Sequence, residues 1–338
     1  MQLPTMASFP PRASAFSRSR DHFFCAKVDE RAMGLSPRGA FILSDITDMR
    51  SRAIGLPSQG GDILGWEMGP QDQSIDLIFS HANGFNGRTY ASILAPLADR
   101  YRMILIDQRG HGRSTLPADV SQPRASWDDL AVDLHELLTV LDAQDVVLAG
   151  HSMGGTVSML AAAQAAWRVR GLVLLDPVIL PPEVIVKSRV GIVPDSPLVQ
   201  GALKRRSSFP SRQAVIEAYT GRGAFRSWPT QMLADYVADG FRDGTDRQVE
   251  LTCAPVWEAS GFTAQGHNPW PAFDTLTIPI HILRASMAST CRIEGLETQV
   301  LALENRQMET IPETSHFLPM ERPDLVQAAL VQMLERRA

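Results

Sequence analysis

The chain has 338 residues, of which 44% are hydrophobic and 20% are charged, so it can bury a sizeable core and is not globally disordered. Its 32 Lys and Arg against 37 Asp and Glu give a net charge of -5, which argues against a nucleic-acid-binding protein because such proteins carry a strong basic excess. The three cysteines, Cys25, Cys253 and Cys291, lie far apart and predict neither a disulfide framework nor a zinc site. No run of 18 apolar residues predicts a membrane-spanning helix. We therefore expect a soluble, cytoplasmic protein with no nucleic-acid or membrane partner.

Residues 1–48 differ in composition from the rest of the chain. Up to Arg20 there are three arginines, four serines and three prolines but no acidic residue. This composition is typical of organelle transit peptides, yet no clear amphipathic helix accompanies it. We favour a disordered extension, or a true start at Met33 or Met49, and keep organelle targeting as the alternative.

From residue 50 onward, short apolar segments alternate with helical patterns. Strands are predicted at 51–56, 62–67, 75–80, 103–107, 146–150, 171–176, 280–284 and 307–311. Helices are predicted at 90–100, 127–141 (with Ser126 as N-cap), 153–166 and 323–337. Such an alternation predicts an α/β fold, a mostly parallel central sheet flanked by helices on both faces.

The alternation stops at 181–273, which we interpret as an insertion into a core formed by 49–180 and 274–338. This insertion holds ten of the 23 aromatic residues of the chain. They would form either an apolar substrate pocket or the insertion's own small core. Its basic cluster Lys204-Arg205-Arg206 would be a solvated face or would attract an anionic substrate.

The most informative motif is Gly150-His151-Ser152-Met153-Gly154, which reads G-x-S-x-G. It directly follows a predicted strand and opens a predicted helix, the context that a nucleophile elbow requires. The glycines are needed because a side chain at either position would collide with the neighbouring strand or helix. The motif therefore predicts Ser152 as a nucleophile.

Three further segments strengthen this interpretation: His81–Asn86 after the third strand, Asp107–Ser114, and Ser315–Phe317 before the last helix. Together with the elbow, they make residues 50–337 resemble the serine hydrolases of the α/β-hydrolase fold. The resemblance implies this fold with a helical cap, residues 181–273, inserted after the sixth strand.

The resemblance also implies an oxyanion hole formed by the backbone N–H groups of Met153 and Asn83. Ala82 stands where the family usually has glycine. His81 is expected to be a packed loop residue. We further expect Ala82, Phe85, His151 and Trp270 to line the substrate pocket.

His316 is the histidine best placed as the general base, since it lies between a strand and the last helix. His151 lies inside the elbow, His111 in the Asp107–Ser114 turn, and His281 within a strand.

The third member of the triad departs from the commonest family pattern. The family usually carries an Asp after the seventh strand, but that loop has no carboxylate here, and Ser289 falls near the expected position. Asp176, 24 residues after Ser152 at the end of the sixth strand, is our prediction for the acid. Glu294, Glu297 and the absence of any acid remain the alternatives.

These residues predict a serine esterase, a carboxylesterase or lactonase that acts on an apolar small molecule through an acyl-enzyme and needs no metal or other cofactor. A serine at the elbow argues against dehalogenase and epoxide hydrolase chemistry, which in this fold uses an aspartate. C–C bond hydrolases, aminopeptidases and a hydrolase-like receptor with little turnover remain open alternatives.

Overall fold

The computed structural model describes residues 49–121, 123–190 and 196–336, so the predicted extension 1–48 lies outside the described residues. The described residues form eleven strands: β1 (Arg50–Leu56), β2 (Gly61–Met68), β3 (Leu77–Ser80), β4 (Met103–Asp107), β5 (Val146–His151), β6 (Val169–Leu175), β7 (Ser208–Phe209), β8 (Phe241–Asp243), β9 (Val249–Leu251), β10 (Ile280–Ala285) and β11 (Arg306–Ile311). Eight of them form one sheet in the order β1-β2-β4-β3-β5-β6-β10-β11.

This sheet is parallel except at one edge, where β1 pairs with β2 and β2 with β4 in antiparallel register. The central strands are almost entirely apolar and buried, as β4 illustrates with five buried residues out of five. Such strands are expected where helices cover both faces of a parallel sheet. The α/β-hydrolase architecture predicted from the sequence is therefore confirmed.

The helices of the described chain are α1 (Ala91–Leu94), α2 (Asp128–Val140), α3 (Met153–Gln164), α4 (Pro182–Arg189), α5 (Pro197–Leu203), α6 (Arg212–Tyr219), α7 (Thr230–Gly240), α8 (Pro255–Thr263), α9 (Trp270–Thr275), α10 (Glu297–Val300), α11 (Leu318–Glu321) and α12 (Pro323–Leu334). None of them is both long and apolar enough to cross a membrane. The apolar core lies on the two faces of the sheet, beneath α1 and α12 on one side and α2 and α3 on the other.

Two predictions about helices are corrected in detail. The helix predicted at 90–100 is one α-helical turn followed by a short 3-10 turn, since Pro96 has no N–H to continue the hydrogen-bond pattern. The N-cap residue of α2 is Trp127 rather than Ser126, although the Ser126 hydroxyl accepts a hydrogen bond from the N–H of Asp128, the first residue of the helix, at 3.3 Å. The indole N–H of buried Trp127 donates to the Gly261 carbonyl at 3.0 Å. This long-range contact helps set where the chain turns into the helix.

The inserted segment is not purely helical as predicted. It contains a three-stranded antiparallel sheet in the order β7-β9-β8, in addition to α4–α8. Strands of two or three residues are too short to show a period-two pattern in the sequence. α9 crosses the predicted boundary at 273/274, and the carbonyls of Phe273 and Leu276 accept hydrogen bonds from Arg306 of β11, so α9 packs with the core.

Candidate active site

The turn between β5 and α3 raises Ser152 above the carboxyl edge of the sheet. Ser152 has φ +55° and ψ -119°, a conformation that costs a non-glycine residue energy and is typical of functional sites. A Cβ on Gly154 would lie 2.1 Å from the Ser80 carbonyl oxygen, and one on Gly150 would lie 2.4 Å from the Gly154 carbonyl carbon. Glycine at both positions therefore allows strand and helix to approach closely enough to form this turn.

Ser152 lies at hydrogen-bond distance from a histidine–aspartate pair contributed by two other sheet elements. Its Oγ is 3.0 Å from His316 Nε2, and His316 Nδ1 is 2.6 Å from Asp176 Oδ2. His316 follows β11 and Asp176 follows β6, so the three residues meet because parallel strands end at the same edge. In this geometry a neutral imidazole can take the serine proton while the carboxylate orients Nδ1–H and stabilises the resulting imidazolium.

The Asp176 carboxylate is completely buried, and several groups donate hydrogen bonds to it. Oδ1 accepts from the Ala285 N–H at 2.9 Å and the Ser289 hydroxyl at 2.5 Å, while Oδ2 accepts from the Thr290 N–H at 3.1 Å. Burial by itself raises the pKa of Asp176, but the hydrogen bonds from His316 and these donors lower it overall. The carboxylate is thus held in its ionised form.

The structure does not bring the two alternative acids to His316. Glu294 is exposed and pairs with Arg284, and Glu297 is exposed at the start of α10. Ser289, which occupies the usual acid position in the family pattern, instead donates to Asp176. A hydroxyl at this position thus supports a carboxylate supplied by the neighbouring strand.

The loop after β3 leaves one N–H group free. Within 82–85, the N–H of Ala82 donates to the Tyr90 hydroxyl at 3.2 Å, that of Gly84 to His111 Nε2 at 3.0 Å, and that of Phe85 to the Ala82 carbonyl at 3.1 Å. Among the described residues, no acceptor is found for the Asn83 N–H. The Asn83 side chain donates to the Glu258 carbonyl at 2.9 Å, which ties this loop to α8.

The N–H of Met153, the first residue of α3, also has no acceptor among the described residues. The first four N–H groups of a helix have no partner inside that helix, and Met153 directly follows Ser152. Unpaired N–H groups beside a hydroxyl can hold a developing oxyanion.

His81 and His111 hold this loop in place. His81 Nδ1–H donates to the Ala82 carbonyl at 2.7 Å, and its Nε2 accepts from the Gln108 N–H at 3.0 Å. Burial lowers the pKa of His81 to about 4 and that of His111 well below its ordinary value. Both imidazoles are therefore neutral packed groups, in agreement with the expectation for His81.

An aromatic wall stands beside His316. Phe85 lies 5.2 Å from Trp228 and 6.3 Å from Phe317, measured between ring centroids, and Trp228 lies 6.0 Å from Phe317. Phe225 and Tyr236 complete the cluster around Phe85. The inserted segment thus contributes apolar surface close to the residue that follows the histidine.

Two of the residues expected to line the pocket, Trp270 and His151, make hydrogen bonds inside the protein. The Trp270 indole donates to the Leu180 carbonyl at 2.8 Å and its ring packs against Phe273, so Trp270 joins the inserted segment to the core. His151 is completely buried, with both ring nitrogens hydrogen-bonded. The polar side-chain atoms of both residues are therefore already engaged inside the protein.

The basic cluster is also not the uniformly solvated face considered above. Arg205 donates to Glu258 at 2.5 Å and to the Tyr236 hydroxyl at 2.6 Å, and the Arg206 guanidinium lies 4.2 Å from the Phe209 ring centroid. Lys204 is exposed. The charge of Arg205 is therefore compensated within the inserted segment.

Sequence reasoning missed two residues: Tyr90, which contacts the loop after β3, and Thr290, which contacts the buried Asp176. Neither residue lies in a recognisable motif, and the contacts of Tyr90 with His151 and of Thr290 with Asp176 span 61 and 114 positions. In the described ranges, no group of three or more His, Cys, Asp or Glu could hold a metal ion.

Comparison with known proteins supports the same fold. The chain is 27% identical over 274 residues to a putative non-heme chloroperoxidase from Synechocystis sp., covering 77% of this chain and 91% of that protein. It is 22% identical to a 2-(acetamidomethylene)succinate hydrolase from Mesorhizobium japonicum (77% and 87% covered) and 25% identical to haloalkane dehalogenase 2 from Mycobacterium tuberculosis (76% and 86%).

Among solved structures, an E-2-(acetamidomethylene)succinate hydrolase superposes with a TM-score of 0.70 at 20% identity, covering 85% of this chain and all of that one. A thermophilic esterase from Thermogutta terrifontis superposes with a TM-score of 0.59 at 20% identity, covering 84% and 98%. The model of the alpha/beta hydrolase family matches residues 77–329, three quarters of the chain. The chain therefore belongs to the alpha/beta hydrolase family.

Proposed function

We propose that this hydrolase is serine-dependent and cleaves carboxylic esters or lactones of small, mainly apolar molecules through an acyl-enzyme. The observation that carries the proposal is the continuous hydrogen-bonded line from Ser152 Oγ through His316 to the buried Asp176. A nucleophile, its base and an orienting acid in this order are the signature of covalent acyl transfer.

The reaction would proceed in two halves. His316 Nε2 takes the Ser152 proton as Oγ attacks the carbonyl carbon, and the N–H groups of Met153 and Asn83 stabilise the oxyanion. The tetrahedral intermediate collapses, the C–O bond breaks, and His316 returns the proton to the leaving alcohol. His316 then deprotonates a water molecule, which attacks the acyl carbonyl carbon. As this second tetrahedral intermediate collapses, the bond from carbon to Ser152 Oγ breaks and His316 returns the proton to Oγ, which releases the acid and free Ser152.

The inserted segment would act as a cap that supplies the apolar wall. Its Trp228 and Phe225 pack against Phe85, two residues beyond Asn83 in the loop. Apolar walls with few polar groups are typical of small-molecule pockets.

The names of the relatives cover several reactions, so family membership leaves the substrate open. The 2-(acetamidomethylene)succinate named for one relative is a dicarboxylate, whose recognition would call for an available cation. In this chain, Arg205 is already paired with Glu258, which favours an uncharged acyl group.

The test is active-site labelling followed by a substrate panel. A fluorophosphonate should modify Ser152, identified by peptide mass spectrometry, and Ser152→Ala should abolish both labelling and ester turnover. Removing such a nucleophile costs on the order of a millionfold in kcat. The panel should contain p-nitrophenyl esters, lactones and aminoacyl amides. A Ser152→Ala variant that retained about a tenth of wild-type kcat would contradict the proposal, as would turnover of amides alone.

A further inference from the structure

His151 is a fully buried histidine at the reaction centre to which the proposed mechanism gives no role. It precedes Ser152 in the chain, and its ring centroid lies 4.9 Å from that of His316. Its Nε2 is 2.8 Å from the His316 carbonyl oxygen, and its Nδ1 is 2.8 Å from the Tyr90 hydroxyl. His151 is therefore hydrogen-bonded to the backbone carbonyl of His316 and not to His316 Nε2, the nitrogen that faces Ser152 Oγ.

The direction of each hydrogen bond in this group follows from which atoms can donate. The His316 carbonyl only accepts, so His151 Nε2 must carry a hydrogen. A neutral imidazole then has Nδ1 as its acceptor, and the Tyr90 hydroxyl must donate to it. The Tyr90 oxygen remains free to accept from the Ala82 N–H at 3.2 Å. All donors therefore point the same way, from Ala82 through Tyr90 and His151 to His316.

Because Tyr90 and His151 are buried, the direction of these hydrogen bonds does not change with pH near neutrality. His151 and Tyr90 are both 0% exposed, and burial lowers the pKa of His151 to about 3, with the nearby His316 contributing in the same sense. The imidazole consequently stays neutral at physiological pH. Each polar atom of the two side chains has a partner, as a buried polar network requires.

The two ends of the chain of hydrogen bonds reach the two parts of the proposed machinery that must be aligned. Ala82 directly precedes Asn83, whose N–H is the proposed oxyanion donor, and His316 is the proposed base. We propose that Tyr90 and His151 are positioning residues that hold the oxyanion loop and the base in register with Ser152. This inference rests on the proposed function.

The test compares two substitutions at His151. His151→Leu fills the space but cannot donate to the His316 carbonyl, whereas His151→Gln places an amide N–H near the position of Nε2. We expect His151→Leu to lower kcat about a hundredfold with KM changed less than about twofold, since small misplacements of reacting groups cost about this much. The kcat of His151→Gln should be at least about tenfold higher than that of His151→Leu.

Tyr90→Phe tests the other half of the network. It removes the acceptor for the Ala82 N–H and the donor to His151, and we expect kcat to fall about tenfold with little change in KM. His281 is the control, because it is also a buried histidine, lies in β10 away from Ser152 in the sequence, and pairs with Glu309 at 3.0 Å. His281→Leu should lower the melting temperature but leave kcat near wild type.

Failure of the inference and failure of the proposed function give different results. A wild-type protein that does not react with a fluorophosphonate overturns the proposed function. The inference alone is overturned in two cases, both with a wild-type protein that reacts with the fluorophosphonate. In the first, His151→Leu reacts as fast as the wild type; in the second, His151→Gln recovers none of the lost activity.

Nitrogen-15 NMR of labelled histidines provides a readout that needs no turnover. His151 should remain neutral and protonated at Nε2 from about pH 5 to about pH 9, and titration or an Nδ1–H tautomer would overturn the inference.

Discussion

At the scale of single residues, the least conventional feature is the origin of the acid. Asp176 follows β6 and His316 follows β11, with β10 between these two strands in the sheet. Because β6 and β10 are neighbours, residues 285–290 lie around the Asp176 carboxylate. The loop contributes donors where the family pattern usually contributes the acid itself. The negative charge is thus supplied by the residue after β6 and is stabilised by donors at the end of β10 and in the loop that follows it.

The first prediction tests the acid directly. Asp176→Asn should lower kcat by about ten-thousandfold with little change in KM, because the histidine loses its tautomer and orientation. Glu294→Gln and Glu297→Gln are the controls and should retain near-normal kcat. The measurement is ester kinetics on the three purified variants. Near-normal turnover by Asp176→Asn would exclude Asp176 as the acid of the triad.

The second prediction concerns stability as a function of pH. Since the pKa of Asp176 is lowered in the folded protein, its ionised form stabilises the fold at pH values above the ordinary Asp pKa of about 4. This contribution is lost as the pH falls through the lowered pKa. Urea unfolding of wild type and Asp176→Asn should show a stability difference that narrows between about pH 5 and about pH 2. A difference that widened in acid would contradict an ionised Asp176.

At the scale of secondary-structure elements, the junction of β5 and α3 determines the geometry around Ser152. The close approach of α3 to β3 leaves no room for a side chain at Gly154, whose Cβ would meet the Ser80 and His81 carbonyl oxygens. The same junction leaves the Met153 N–H without a partner inside the helix. The helix therefore cannot shift without moving both the hydroxyl and an expected oxyanion donor.

The third prediction uses two glycines in helices. Gly154→Ala should destabilise the fold by about 1–3 kcal/mol and slow fluorophosphonate labelling, because backbone atoms must move to admit the methyl group. Gly201→Ala in α5 is the matched control, since nothing lies within 4 Å of its Cβ position. It should stabilise the protein by about 0.5–1 kcal/mol without affecting labelling. Chemical denaturation and labelling rates measure both effects, and equal behaviour of the two variants would contradict the steric argument.

At the scale of the whole molecule, the inserted segment is bound to the core next to the site. The Asn86 side chain donates to the Tyr236 carbonyl at 3.0 Å, and the Ser92 N–H donates to Asp235 at 3.1 Å. These contacts hold α7 against the start of α1 and keep the aromatic wall over Phe85. The position of this aromatic wall therefore depends on how the insertion packs.

The fourth prediction follows from that packing. Trp228→Ala should shift the preference, expressed as the ratio of kcat/KM values, by about tenfold towards esters with longer acyl chains, because it removes a ring from the wall. Trp228→Phe keeps most of the ring and should keep the preference. Trp167→Ala, at a side chain that is 72% exposed, is the surface control. An unchanged chain-length profile in Trp228→Ala would show that this ring does not limit the acyl site.

The sequence alone determined the strand alternation, the resulting fold and the position of the elbow, since these depend on apolar periodicity and on local steric requirements for glycine. It also ranked Asp176 above Glu294 and Glu297, but only the completed sheet, in which β6, β10 and β11 lie side by side, brings one of these carboxylates to His316. The small sheet of the insertion was missed because its strands are too short to carry a pattern. The Tyr90–His151 contact was missed because it joins residues 61 positions apart. Motifs and periodicity are local properties, whereas the partner of a buried polar group is selected by whichever distant segment the completed fold places beside it.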